Sequence, residues 1–206
     1  MTAARAGRDA SRDREVEDRV AEAVARGDFE AAATAVIQGY GPQILGYLRA
    51  VLKDPEEAED CFAVFAENAW RGLPTWEGRA SARAWAYRVA WNAASRIFRD
   101  PWHRRRRKLP SSVASTLAAA VMSSGRRDLD RRQDDLEQLR AGLTPDEQSL
   151  LVLRVDRELS WREVAVAVAM GEEDDVTARA ALRKRFERLR EKLARGARAR
   201  GLLSSR

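Results

Sequence analysis

Apolar residues recur every three or four positions along most of the chain, and β-branched runs are scarce, so the pattern predicts helices. From Asp28 onward Phe29, Ala33, Val36, Ile37 and Tyr40 keep helical spacing; Gly39, Gly41 and Pro42 are expected to punctuate that helix before a second run, Ile44, Leu45, Leu48, Val51 and Leu52. Asp54-Pro55-Glu56-Glu57 is a start signal, with a capping carboxylate, a proline where no N–H is needed and acids at the positive end of the dipole. The helix it opens sets Ala58, Cys61, Phe62, Phe65 and Ala69 on one stripe and stops at Gly72 and Pro74. After the loop from Thr75 to Arg79 another helix runs to about Arg99. Its inward stripe is Ala82, Trp85, Ala86, Val89, Ala93 and Ile97; Arg83, Tyr87, Arg88, Trp91, Asn92, Ser95 and Arg99 are left for the surface.

A second helical unit begins near Asp130. Thr144-Pro145-Asp146-Glu147 and Ser160-Trp161-Arg162-Glu163 are two capping boxes. The first opens a helix carrying Leu150, Leu151, Val152, Leu153 and Val155; the second opens a short one with Val164, Ala165 and Val168. A turn from Met170 to Asp175 leads into a long basic helix from about Val176 past Leu193, with Leu182, Phe186, Leu189 and Leu193 as its apolar stripe. Two short helices, a turn and a basic amphipathic helix make a helix-turn-helix.

What lies between and before these units differs in composition. Residues 1–27 alternate Arg with Asp and Glu and read as a charged tail, mobile or weakly helical. Residues 103–129, with the block His103-Arg104-Arg105-Arg106-Arg107-Lys108 and a Ser/Ala-rich stretch, read as a flexible basic linker. The expected organisation is therefore all-α: a tail over 1–27, a helical bundle over 28–102, the linker over 103–129 and a helix-turn-helix domain over 130–206.

Composition narrows the chemistry. Of the 206 residues 45% are hydrophobic and 34% charged, so the core has to come from amphipathic helices. No run approaches the roughly 20 apolar residues of a membrane span, and the charged amino terminus is unlike a secretory signal, so a cytoplasmic protein without membrane attachment is expected. One cysteine, Cys61, and one histidine, His103, exclude an internal disulfide and a Cys/His zinc site; no metal, cofactor or small-molecule substrate is expected. Without a convergent catalytic set or a phosphate-binding glycine loop, the chain reads as no enzyme. A net charge of +6 and a pI near 10.1 point to a polyanionic partner.

Two segments carry the nucleic-acid reading. On or beside the outward side of the basic helix lie Thr177, Arg179, Arg183 and Lys184, where Arg suits guanine edges and Lys suits phosphates. Ser160 and Arg162, at the amino end of the preceding helix, suit the DNA backbone. The helix from Arg83 to Arg99 interleaves aromatic and basic residues, as stacking on single-stranded bases requires.

The order of these parts resembles a known family. Asp54-Pro55-Glu56-Glu57-Ala58-Glu59-Asp60 with Ala69-Trp70, and the run from Gly78 to Asn92, resemble region two of the extracytoplasmic-function (ECF) sigma factors, in the RNA polymerase sigma factor superfamily. The run from Leu143 to Gln148, Leu151 to Arg154 and Leu159 to Ala165 looks like region four. The resemblance implies an alternative sigma factor that binds core RNA polymerase and promoter DNA, and it admits an anti-sigma factor as a further partner. By resemblance, Asp60, Phe62 and Val64 would meet the polymerase clamp. The loop bearing Trp76, Arg79 and Ser81 would take a flipped base, and Arg88, Trp91, Asn92, Ser95 and Arg96 would line the −10 strand. Region four would read the −35 element as duplex. Two departures stand out: Ala63-Val64 replaces the family's usual Gln-Glu pair, and the turn of the helix-turn-helix is longer than usual. A stand-alone helix-turn-helix regulator is the rival reading; a helical enzyme and a protein-interaction adaptor are the others.

Overall fold

The computed structural model describes residues 2–99, 113–125, 139–168 and 175–200, and every regular element among them is helical. The basic block with His103, the start of the second unit at Asp130 and most of the turn after Met170 lie outside the described residues.

Helix α2, Phe29–Leu52, is the centre of the molecule. It runs unbroken through Gly39, Gly41 and Pro42, against the expected punctuation. The physical reason is packing on several sides at once: fourteen of its residues are buried, and the glycines sit where neighbours come close. A Cβ on Gly39 would stand 2.6 Å from both methyls of Val16, and one on Gly41 would stand 3.0 Å from a methyl of Val121. Here glycine marks close approach rather than a helix end.

Helix α1, Thr2–Ala25, supplies one of those neighbours. The segment expected to be a mobile or weakly helical tail is a packed helix, with Val16, Val20 and Ala23 buried at helical spacing. Composition hid it because the buried stripe is narrow and charges fill the rest of each turn.

Helix α3, Pro55–Gly72, starts and stops as predicted: Asp54 accepts from the Glu56 and Glu57 N–H groups, and the expected stripe is buried. A 3₁₀ turn, Leu73–Thr75, leads through the loop to α4, Ala82–Arg99. Helix α5, Val113–Gly125, falls within the expected linker. It packs on α2 and α3 through Ala118 and Val121, so this stretch belongs to the first unit's core.

The second unit comprises α6 (Pro145–Leu151, continued by a π-helical turn Val152–Asp156), α7 (Trp161–Ala167) and α8 (Val176–Ala199). Both predicted capping boxes are present, and Asp175 caps α8 through the Ala178 N–H. Val155, expected on the apolar face, is exposed at the end of the π turn.

One hydrophobic cluster extends from α1 to Leu182 of α8, joining both units. Polar ties cross the same boundary. The buried Tyr47 and Ser149 hydroxyls lie 2.8 Å apart, Lys53 donates to the carbonyls of Ala141 and Leu143, and Arg157 donates to the carbonyl of Gln43. No helix among the described residues is long and apolar enough to cross a membrane.

Candidate nucleic-acid interface

Helix α4 divides its surface in a way the sequence reading did not foresee. At about 100° per residue, Arg88, Asn92, Arg96 and Arg99 fall within one arc of about 80°, and all four are exposed. Ser95 and Trp91 lie beyond one edge of that arc, by about 20° and 60°. Ser95 is buried with its hydroxyl unpartnered, and Trp91 is half-buried with its ring 6.4 Å from Phe98. Arg83 and Tyr87, also expected on the surface, share Trp91's side. The Arg83 guanidinium donates to the carbonyl of Arg157 at 2.8 Å, and the fully buried Tyr87 ring meets Tyr47 edge-on at 5.4 Å. Burial pushes the Tyr87 phenol up to about 12, against the opposing influence of Arg157 and Arg83. So the expected outer face is two faces: one exposed and basic, the other packed against α2 through Tyr87 and against the second unit through Arg83 and Trp91.

The loop ahead of α4 is held from both ends. Trp76 packs 6.2 Å from Trp85, Gly78 takes a left-handed turn at φ +69°, and Arg79 pairs with Glu77 in solvent. Ser81 caps α4 by accepting from the Ala84 N–H at 3.1 Å. Trp85, assigned to the core, is half-buried beside Gly72. Trp76, Arg79 and Ser81 thus border one loop, adjacent to but distinct from the exposed arc.

On α3 the three residues expected to meet a protein partner separate. Asp60 and Val64 lie half-buried on one side, in line with Glu56, Glu67 and Arg71. Phe62 is fully buried, 5.4 Å from Phe65, because its position faces α2 and α5. It serves the core and has no surface to offer.

In the second unit Ser160, Arg162, Arg179 and Arg183 line one shallow cleft of about 540 Å³, together with Arg154, Glu158, Trp161 and Glu163. The Ser160 oxygen accepts from the Glu163 N–H at 3.2 Å, which leaves its proton free to donate to an oxyanion. Trp161 meets Phe186 edge-on at 5.5 Å and so ties α7 to α8. Thr177 and Lys184 are exposed on the flank of α8, rotated about 100° or more from Arg183. Arg154 went unassigned in the sequence reading. It lies 5.1 Å over the Trp161 ring and donates to the carbonyl of Leu159, a placement across a turn that leaves no periodic signal.

A second cleft, of about 510 Å³, separates the units. Trp91 lies on one side and Leu150, Leu182, Arg185, Arg188 and Lys192 on the other. Arrangements of this kind bind polyanions: guanidinium groups in an exposed arc on one helix, and a capped helix N-terminus beside arginines on another. Residues 36–106 match the family described as Sigma-70 region 2, a span from the second turn of α2 to beyond α4. No curated protein matches the chain.

Proposed function

We propose that the chain, whose residues 36–106 match the family described as Sigma-70 region 2, is an alternative sigma factor of the extracytoplasmic-function kind, with region two on α1–α5 and region four on α6–α8. It binds core RNA polymerase in the cytoplasm, recognises both promoter elements and helps open the duplex. It does so without cofactor or covalent chemistry, and an anti-sigma factor is a further partner.

The observation that carries this reading is the arc of Arg88, Asn92, Arg96 and Arg99 near the end of the matched segment, three cations and an amide with no carboxylate among them. Guanidinium groups there hold strand phosphates, and the Asn92 amide offers both a donor and an acceptor to a base edge. Opening costs about 1.4 kcal/mol per base step. Capture of a base in the loop from Trp76 to Ser81 offsets part of that. Asp60 and Val64 on α3 face the polymerase. The cleft of Ser160, Arg162, Arg179 and Arg183 reads the −35 duplex, with Thr177 and Lys184 on its flank.

Run-off transcription with core polymerase on a genomic promoter library tests the reading. Transcripts that require the protein, and that an Arg88→Ala/Arg96→Ala variant fails to make while still joining polymerase, are the expected result. Nanomolar, sequence-specific binding to duplex by the free chain, with no polymerase-dependent transcript, overturns it in favour of a stand-alone regulator.

A further inference from the structure

The first turn of α4 is sealed by a carboxylate from α1. The two oxygens of Glu17 accept from the Ala82 and Arg83 N–H groups, each at 2.9 Å. Ser81 accepts from Ala84 through its hydroxyl and from Trp85 through its carbonyl, so the four leading N–H groups of the helix are all satisfied. Half of that seal comes from a residue 65 positions away.

Glu17 is itself held in place. The hydroxyl of the buried Tyr40 donates to it at 2.7 Å. Burial, with Glu17 next in weight, drives the Tyr40 phenol far above its ordinary value, so it stays protonated as a donor. One helical turn earlier Asp13 pairs with the Arg83 guanidinium at 3.2 Å and accepts from Gln43 at 3.1 Å. Asp13 and Glu17 thus grip the start of α4 by side chain and backbone together, and Val16 and Val20 between and beyond them anchor α1 to α2.

We propose that Glu17 is a positioning residue for base capture: through the first turn of α4 it fixes where the loop from Trp76 to Ser81 joins the helix. This rests on the functional reading above, in which that loop takes the flipped base. A loop hinged on a left-handed glycine, Gly78, has its geometry set by its attachment points, and Glu17 sets one of them. Without the carboxylate, two helix N–H groups lose their acceptor, the Tyr40 hydroxyl keeps only the Asp13 carbonyl at 3.3 Å, and the first turn of α4 frays.

The test uses holoenzyme and a pool of bubble templates randomised across the unpaired non-template strand, selected by open-complex retention. Wild type enriches a −10 motif. Glu17→Ala and the isosteric Glu17→Gln, whose amide sets a donor against the helix N–H groups, flatten that enrichment about tenfold. They join polymerase normally, and hydrogen exchange shows the α1 amides still protected; Glu22→Gln, on the same helix in solvent, behaves as wild type. Wild-type enrichment by both Glu17 variants overturns the proposal. So does an equal loss on every template with α1 unprotected, which would make Glu17 a matter of folding alone. Absence of any motif with the wild-type protein would overturn the functional reading instead.

Discussion

Trp85 and Trp91 lie on one helix, and the sequence assigned them opposite fates: core for the first, outer basic face for the second. Both are half-buried. Trp91 turns toward Leu150 and Leu182 of the second unit, because the apolar side of α4 extends past the stripe that its own sequence periodicity reveals. Trp91→Ala is therefore expected to destabilise the free chain by about 2 kcal/mol, less than the roughly 3–5 kcal/mol of a fully buried aromatic. Arg88→Ala, on the exposed arc, is expected to stay within about 0.5 kcal/mol of wild type. Thermal unfolding compares the two, and permanganate footprinting of unpaired thymines adds the functional half: Arg88→Ala lowers open-complex yield at unchanged stability. An unfolded Arg88→Ala protein would place that residue in the core. In the second unit, Arg183→Ala is expected to cost about 1–3 kcal/mol at one base pair if the proposed contact is bidentate to guanine. Equal weakening on all promoter variants would make it a phosphate contact.

Elements are held by contacts that their own sequences announce unevenly. The start of α3 and both capping boxes of the second unit were legible, because a cap is a local arrangement of three or four residues. Helix α1 was not, since its reason for being a helix is the groove on α2 opened by Gly39. Gly39→Ala forces a methyl against Val16, and a loss of about 1–3 kcal/mol is expected. Denaturant melts measure it, and a stability equal to wild type would mean that α1 can ride outward without cost. Between α6 and α8, Lys192 donates to Glu147 at 2.7 Å. Burial pushes the Glu147 carboxyl upward, but the Lys192 bond and the Thr144 backbone bond outweigh it, and the group sits below its ordinary value. The lowered value means that the ion pair contributes stability above the unfolded pKa, near 4.3, and loses it as pH falls through the folded one. Amide exchange in α6 is expected to accelerate as pH drops below about 4, after correction for intrinsic rates, and to lose that pH response in Glu147→Gln. An unchanged response in the variant would assign it to other carboxylates.

The two units touch in the free chain, yet the DNA elements they are proposed to read are named 25 positions apart, about 85 Å along B-form duplex at 3.4 Å per step. Helices α4 and α7 are in direct contact, too close together for the two proposed elements to be met at once. The units are expected to part on polymerase. Dyes at Glu56→Cys and Arg190→Cys, both exposed while the native Cys61 is buried, should show high energy transfer in the free chain and low transfer in the open complex. Transfer that stays high during initiation would sink this expectation. The strength of docking is readable at Tyr47 and Ser149. Either Tyr47→Phe or Ser149→Ala strands a buried hydroxyl and should cost about 1–3 kcal/mol, while the double variant should cost less than their sum.

Helix caps, apolar stripes, net charge and the order of two helical units are properties of short windows or of simple counts, and the sequence alone determined them. The all-helical architecture, the arginines of α4 and the capped helix starts of the second unit followed from those windows. Which side of α4 stays in solvent depended on something no window contains: partner surfaces forty or more residues away in the chain, through Tyr47–Tyr87, Arg83–Arg157 and Trp91 beside Leu182. The same holds for Phe62, whose burial needs α5, and for Glu17, whose role appears only when α1 meets the start of α4. Periodicity reports that a face is apolar or basic; only packing decides how many faces a helix buries, because burial depends on the neighbours that come to cover it.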